Sequence, residues 1–256
     1  MIKKLLKQER IDIILKQLAL NGAITTKKLM FLTNASESTL RADIVELDKK
    51  GLLKKVHGGA CLEKQQIQNN VDILFESRTK LQKDSKLKIA KKASIEINKK
   101  TNLTTIFIDS GTSTYELIKL ITLKNIIVVT NSLNVADYLK NNNDIKVILI
   151  GGEIKNKTSN IVGSIALDNL NLFTFDLGIF GTNTLNNNGS FKTPEINEAI
   201  FKKTAIAKSK HVYLLVDKSK VGLNQGIEFH KIDQKTTIIS DAEKNPNLDN
   251  IKWIKA

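Results

Sequence analysis

A strand-like run from Thr105 to Asp109 ends in Asp109-Ser110-Gly111-Thr112-Ser113-Thr114, and a segment with Leu117, Leu120 and Ile121 at helical spacing follows it. Unpaired backbone amides and small hydroxyls therefore converge where a helix begins, an arrangement suited to cradling a phosphate. A Ser/Thr-rich turn of this kind also serves as a plain helix cap. The spacing matches neither a Walker loop nor a Gly-x-Gly-x-x-Gly fingerprint, which disfavours nucleotides and dinucleotides. The same chemistry recurs at Thr130-Asn131-Ser132, Gly151-Gly152 and Gly181-Thr182-Asn183, each after an apolar run.

A second set of residues lies in the first sixty. Ile11, Ile14, Leu15 and Leu18 repeat at i, i+3, i+4 and i+7, so one helix buries a single stripe and ends near Asn21-Gly22. Ile24 suits a brief strand, and Thr25 or Thr26 offers a hydroxyl cap to a short helix containing Leu29 and Leu32. After a turn at Thr33-Asn34-Ala35, Ser36 caps a third helix, with Leu40, Ile44 and Leu47 inward and Ser38, Arg41 and Val45 on another face. Asp43 suits a structural role. Leu52 to Val56 then alternates as a short strand before the sharp reversal His57-Gly58-Gly59-Ala60. A short helix, a tight turn and a second helix exposing Ser38, Thr39 and Arg41 is how a helix-turn-helix meets a major groove, and the hairpin adds a wing. Lys54, Lys55 and His57 would reach phosphates from that wing.

Behind it, apolar runs alternate with helix-like segments: Thr105 to Asp109, Ile126 to Thr130, Val147 to Ile150, Leu177 to Phe180 and Val212 to Asp217. That is the pattern of a largely parallel α/β sheet, which places ligands at the carboxyl ends of its strands. The polar stretch Glu63 to Asn70 separates the two parts, and a helical stretch with Ile89, Ala93 and Ile97 at spacing four runs to about Lys99. The division is a winged helix-turn-helix over 1–62, a linker over 63–72 and an α/β effector domain over 73–256.

The 256 residues carry a net charge of +14, and residues 1–64 hold 13 Lys or Arg against 7 Asp or Glu, a density about twice that of the remainder. That balance suits a polyanionic partner, although lysine-rich composition alone also produces it. No apolar run approaches the roughly 20 residues of a membrane span, and the N-terminus lacks a signal-peptide core, so no membrane partner and a cytoplasmic location are expected. Cys61 is the single cysteine, which excludes an internal disulfide and a cysteine-based metal site; no metal or cofactor is expected.

Thr39-Leu40-Arg41-Ala42-Asp43-Ile44, Gly51-Leu52 and His57-Gly58-Gly59-Ala60 resemble, in order and spacing, the DNA-binding end of the DeoR regulators. The resemblance continues through the Asp109 turn, Thr130-Asn131-Ser132, Gly151-Gly152, Glu198-Ala199-Ile200-Phe201-Lys202 and Asp217-Lys218-Ser219-Lys220, covering about residues 3–241. Arg78 and Lys86 also fall at family positions. Two departures stand out: Ala42 replaces the family's second Arg, removing a cation that could contact a phosphate, and Ser85 replaces a Glu. The resemblance implies a repressor of a carbohydrate-metabolism operon, with an effector domain similar to sugar-phosphate isomerases. Double-stranded operator DNA, a phosphorylated sugar and further copies of the chain would be its partners. It further implies that Ser110, Gly111, Thr112, Ser113 and Thr114 hold phosphate, with Asp109, Asn131, Gly152, Lys202, Asp217 and Lys220 around the sugar phosphate. Glu198 and Arg78 are weaker candidates.

Two other function classes are open to the residues alone. A sugar-phosphate isomerase needs a base beside a carbon acid, and Asp109, Glu195, Glu198 and Asp217 are available carboxylates. An architectural DNA binder would need only the positive charge, but would leave the polar strand ends without a purpose.

Overall fold

A computed structural model describes residues 5–21, 23–50, 52–56, 58–61, 75–248 and 251–256, which fall into two compact units, Met1–Asp72 and Ile73–Ala256. The expected linker over 63–72 lies outside the described residues.

In the first unit, α1 (Lys7–Asn21) buries Ile14 and Leu18, and β1 (Ala23–Thr25) leads directly into α2 (Thr26–Thr33). Thr25 is the cap: its hydroxyl accepts the Lys28 amide at 3.2 Å. Asn34 ends α2 in the left-handed region, at φ 51°, which short polar side chains tolerate. Ser36 caps α3 (Glu37–Lys49) by accepting the Thr39 amide. Leu40, Ile44 and Leu47 of α3 complete a core with Ile24, Leu29, Leu53 and Ala60. The hairpin strands β2 (Lys54–Val56) and β3 (Gly59–Cys61) join β1 in an antiparallel sheet of order β1-β3-β2. The strand begins two residues later than its alternation suggests, because Leu53 turns into the core and the Leu52 amide bonds back to Leu47. Gly59 is required where β3 crosses β1, since a Cβ there would collide with the Ile24 carbonyl.

The second unit opens with α4 (Phe75–Lys80) and α5 (Lys83–Asn98), two helices where the periodicity suggested one stretch; Gln82, at φ 51°, breaks them apart. Seven parallel strands follow: β4 (Thr105–Ile108), β5 (Ile126–Thr130), β6 (Ile145–Leu149), β9 (Phe175–Gly181), β12 (Ser209–Val216), β14 (Thr236–Ser240) and β15 (Lys252–Lys255). Their order is β15-β14-β12-β9-β4-β5-β6. Alternate residues serve opposite cores: Ile106 and Ile108 pack under α5, α6 (Thr112–Ile118) and α7 (Leu133–Leu139). Phe107 packs with Phe175, Phe180 and Phe201 under α8 (Ser164–Asn171) and α9 (Ile196–Ala207). Burial on both faces is why these strands read as nearly continuous apolar runs. Two small sheets complete the unit. The hairpin β7 (Glu153–Lys155) and β8 (Asn160–Val162) lies between β6 and α8 in the chain; β10 (Thr184–Leu185), β11 (Ser190–Thr193) and β13 (Ile227–Lys231) pair as β10-β11-β13.

From β4 the chain winds outward through β5 to β6, then returns to place β9 on the other side of β4. The crevice between the carboxyl ends of β4 and β9 is therefore the switch point at which such sheets hold ligands. Among the described residues no helix is long and apolar enough to cross a membrane.

Candidate functional site

At the N-terminus of α3 the hydroxyls of Ser36, Ser38 and Thr39 cluster, with oxygens 2.8 and 3.0 Å from Ser36 Oγ. One turn on, the exposed Arg41 guanidinium meets Glu37 at 2.5 Å, a solvent-facing pair of little net worth. Lys54 and Lys55 stand exposed on β2. A cleft of about 250 Å³ between α3 and the hairpin is lined by Arg41, Lys55, Val56 and Gly58 among others, so the helix and the wing bring their cations to one opening. His57 lies outside the described residues. Ala42 is exposed, where an arginine would have projected to solvent.

Asp43 faces inward, 4% exposed, and accepts from Arg10 Nε at 2.8 Å and Nη2 at 3.2 Å. Arg10 also donates to the Leu5 carbonyl, so this fork fastens α1 across the back of α3. The hydrogen bond to Asp43 raises the guanidinium pKa further above its ordinary value against the opposing effect of burial. Arg10 was not anticipated. Its signal was indirect: Asp43 sits three residues after the inward-facing Leu40, and a buried carboxylate needs a cation.

At the switch point, Asp109 is 1% exposed. One carboxylate oxygen takes the Gly181 amide at 3.1 Å and the Lys202 ammonium, which also donates to the Gly181 carbonyl. Asp109 and Lys202, expected separately as ligand contacts, thus form a buried ion pair with each other. The Thr114 hydroxyl turns back onto the Asp109 and Gly111 carbonyls, bracing the turn, while Thr112 and Ser113 are buried at the start of α6.

The β7–β8 hairpin closes over this turn. Asn160, 2% exposed, donates to Ser110 Oγ and to Glu198 Oε1, both at 3.1 Å, and accepts from Thr158. Asn131 donates its side-chain amide to the Ile161 carbonyl, leaving Oδ1 buried with no hydrogen-bond partner among the described residues. Such an orphan acceptor costs free energy unless a ligand or water donor meets it. Burial opposes ionisation of Glu198, yet Lys202, Lys155 and hydrogen bonds from Asn160 and Thr193 outweigh it and hold the carboxyl below its ordinary value. Gly152 serves packing: a Cβ there would lie 2.8 Å from Ala166 Cβ and 3.0 Å from the Val162 carbonyl.

A second polar group gathers near the end of β12. Asp217, 1% exposed, accepts from the Ser219 amide and hydroxyl and faces Lys220 Nζ at 3.3 Å. Burial raises its pKa, but the Lys220 charge, the Ser219 hydroxyl and Lys86 bring it below its ordinary value. Lys86 lies in the same field, 4% exposed, donating to the Arg78 and Leu81 carbonyls. Burial, reinforced by the charges of Lys220 and Arg78 and resisted by Asp217 and Glu116, pushes it down to about 8. A patch rich in positive charge and poor in solvent is suited to an anion.

The carboxylates an isomerase would call on are differently disposed. Asp109 is paired, Glu195 caps α9 by accepting the Asn197 and Glu198 amides, and Glu198 and Asp217 are weakened as bases. A base for a carbon acid works near neutrality and needs the opposite shift. Asn160, Lys155 and Thr193 escaped the sequence reading, since nothing in their spacing ties them to the Asp109 turn.

Residues 10–66 match the model of the DeoR-like helix-turn-helix domain and residues 81–242 that of the DeoR C terminal sensor domain. The chain is 36% identical to the uncharacterized HTH-type transcriptional regulator FruR of Bacillus subtilis, over 94% of its own length and 93% of the relative's. It is 32% identical to the glycerol-3-phosphate regulon repressor of Escherichia coli, covering 86% and 85%, and 32% identical to the lactose phosphotransferase system repressor of Staphylococcus aureus, covering 96% of each. Among solved structures, a ribose 5 phosphate isomerase A from Neisseria gonorrhoeae is similar over 53% of this chain and 52% of its own, at TM-score 0.38 and 17% identity. The chain belongs to the DeoR family of helix-turn-helix transcriptional repressors, a family of regulators and not of enzymes.

Proposed function

We propose that the protein represses a carbohydrate-metabolism operon by binding double-stranded operator DNA, and that a phosphorylated sugar releases it. The crevice between β4 and β9 carries the effector half of this reading. It combines a Ser110 to Thr114 turn at a helix start with the orphan acceptor of Asn131 and the cation Lys202, while Lys220 and Lys86 gather with Asp217 beyond the end of β12, the strand next to β9. An anionic group with neighbouring hydroxyls complements that set: phosphate for the turn and cations, a sugar hydroxyl for Asn131 Oδ1. Asp109 holds Lys202 in place until the phosphate competes for it. For the DNA half, Ser38, Thr39 and Arg41 would meet the major groove, with Lys54, Lys55 and His57 on flanking phosphates. A symmetric homo-oligomer would set paired winged helices on repeated half-sites.

The test is fluorescence anisotropy on DNA from upstream of the protein's own gene, at fixed salt, against scrambled competitor, with hexose phosphates, pentose 5-phosphates and glycerol 3-phosphate. Competitor-resistant binding that one of these weakens supports the reading. Binding that is purely salt-sensitive and blind to every compound overturns the effector half and favours an architectural role.

A further inference from the structure

The first helix of the second unit is attached at both ends to the elements that form the crevice. At its N-terminus, the Phe75 amide donates to the Lys157 carbonyl at the tip of the β7–β8 hairpin, 3.2 Å away. The Phe75 ring, 8% exposed, stacks edge-on against Tyr115 with centroids 5.5 Å apart. Tyr115 belongs to α6, the helix that starts at the Ser110 to Thr114 turn. At the other end, Lys86 Nζ donates to the Arg78 and Leu81 carbonyls while facing Lys220 and Asp217.

The hairpin itself is fastened to the crevice by its backbone and by Asn160, while Ile161 packs into the core beneath it. Asn160 joins it to Ser110 and Glu198, the Ile161 amide bonds to the Asn131 carbonyl, and the Ser159 carbonyl accepts the Leu133 amide. A ligand phosphate at the turn would take the Ser110 O–H as its donor and so fix the hydroxyl whose oxygen accepts from the Asn160 amide nitrogen. An anion drawn to Lys86 competes with the carbonyls at the end of α4. Both events act on α4, and the chain runs from α4 toward the DNA-binding unit.

We propose that α4 is the helix that reads effector occupancy and relays it along the chain, with Asn160 positioning its N-terminal tie through the β7–β8 hairpin. The inference rests on the effector site proposed above. Coupling needs an element that ligand and DNA both bias, and α4 is tied through the hairpin and Asn160 to the hydroxyl that a ligand at the turn would engage.

Phe75→Pro cuts the tie away from the crevice, and Asn160→Ala cuts it at the crevice. Phe75→Pro deletes the amide donor and the ring while keeping a residue that helices accept at their first position. Asn160→Ala releases the hairpin from Ser110 and Glu198. In the full-length, ligand-free protein, hydrogen exchange read by mass spectrometry should speed up about tenfold over 75–80 in Asn160→Ala, together with 153–162. Loosening of 153–162 with 75–80 unchanged overturns the proposal. In the anisotropy assay, with hexose 6-phosphates and glycerol 3-phosphate as probes, Phe75→Pro should keep ligand-free operator affinity and probe affinity. The effect of probe on operator binding should fall from the usual range of about 5- to 150-fold to below about 2-fold. An undiminished effect overturns the proposal. Should no probe move operator binding by the parental protein, the effector reading itself fails, and the exchange result alone decides what Asn160 does for α4.

Discussion

Replacing Lys202 with Met tests the ion pair at the centre of the crevice. Asp109 is 1% exposed and its partner's side chain 9%, so the pair is shielded from solvent on nearly every side. Met keeps the unbranched stem and its packing against Phe229, over whose ring the ammonium sits at 5.5 Å, so the change is chiefly electrostatic. Asp109 would retain only the Gly181 amide as a donor to the affected oxygen. Breaking a buried pair from one side costs about 3–5 kcal/mol, and retained packing places this case near the lower end, about 3 kcal/mol. For a unit of this size each kcal/mol moves the midpoint by about 2–4 °C, which gives a fall of roughly 10 °C. Scanning calorimetry of the full-length protein reads that shift in the transition of the second unit. Adding Asp109→Asn should recover most of the loss, since a neutral pair leaves no stranded charge. A single variant within about 1 kcal/mol of the parent, with a double variant no better, would refute a structural role for the pair.

Arg41→Ala should weaken operator binding about tenfold or more, as for loss of one base or phosphate contact, while sugar-phosphate affinity stays as it was; equal operator affinity in anisotropy titrations removes Arg41 from the interface. Gly152→Ala should lower stability by about 1–3 kcal/mol in urea unfolding, because the new methyl meets Ala166 and Ile161 at 2.8 and 2.9 Å; an unchanged midpoint would show that the hairpin shifts freely. Lys86, pushed down to about 8 by burial, is charged less readily folded than unfolded. The unfolded chain therefore binds more protons between about pH 8 and 10.5, and this group's contribution to stability rises across that window. Lys86→Met should flatten that part of the urea-midpoint profile, and an identical slope in both proteins would contradict the assignment.

Local chemistry made the first unit legible from sequence. Leu40, Ile44 and Leu47 repeat at helical spacing, Ser36 and Thr25 cap as their hydroxyls dictate, and the glycine pair lets the wing reverse; each needs only neighbours in the chain. The polar turns after β4, β5 and β9 were equally visible, because a buried parallel strand reads as an apolar run and stops where its residues become small and polar. Two edge-side strands, β14 and β15, went unread, and the break at Gln82 left no mark in the periodicity of Ile89, Ala93 and Ile97. The relations between distant residues belong to tertiary structure. Asp109 meets Lys202 across 93 positions, Arg10 meets Asp43 across 33, and Asn160 reaches Ser110 across 50. Sequence marked Asp109, Lys202 and Ser110 as polar groups with chemistry to offer, but only the return of β9 to the side of β4 decided that Asp109 and Lys202 would neutralise each other, and only the folding of the hairpin left Asn131 Oδ1 buried without a hydrogen-bond partner among the described residues. Periodicity reports which face of a segment is buried; it carries no information about which segment lies opposite.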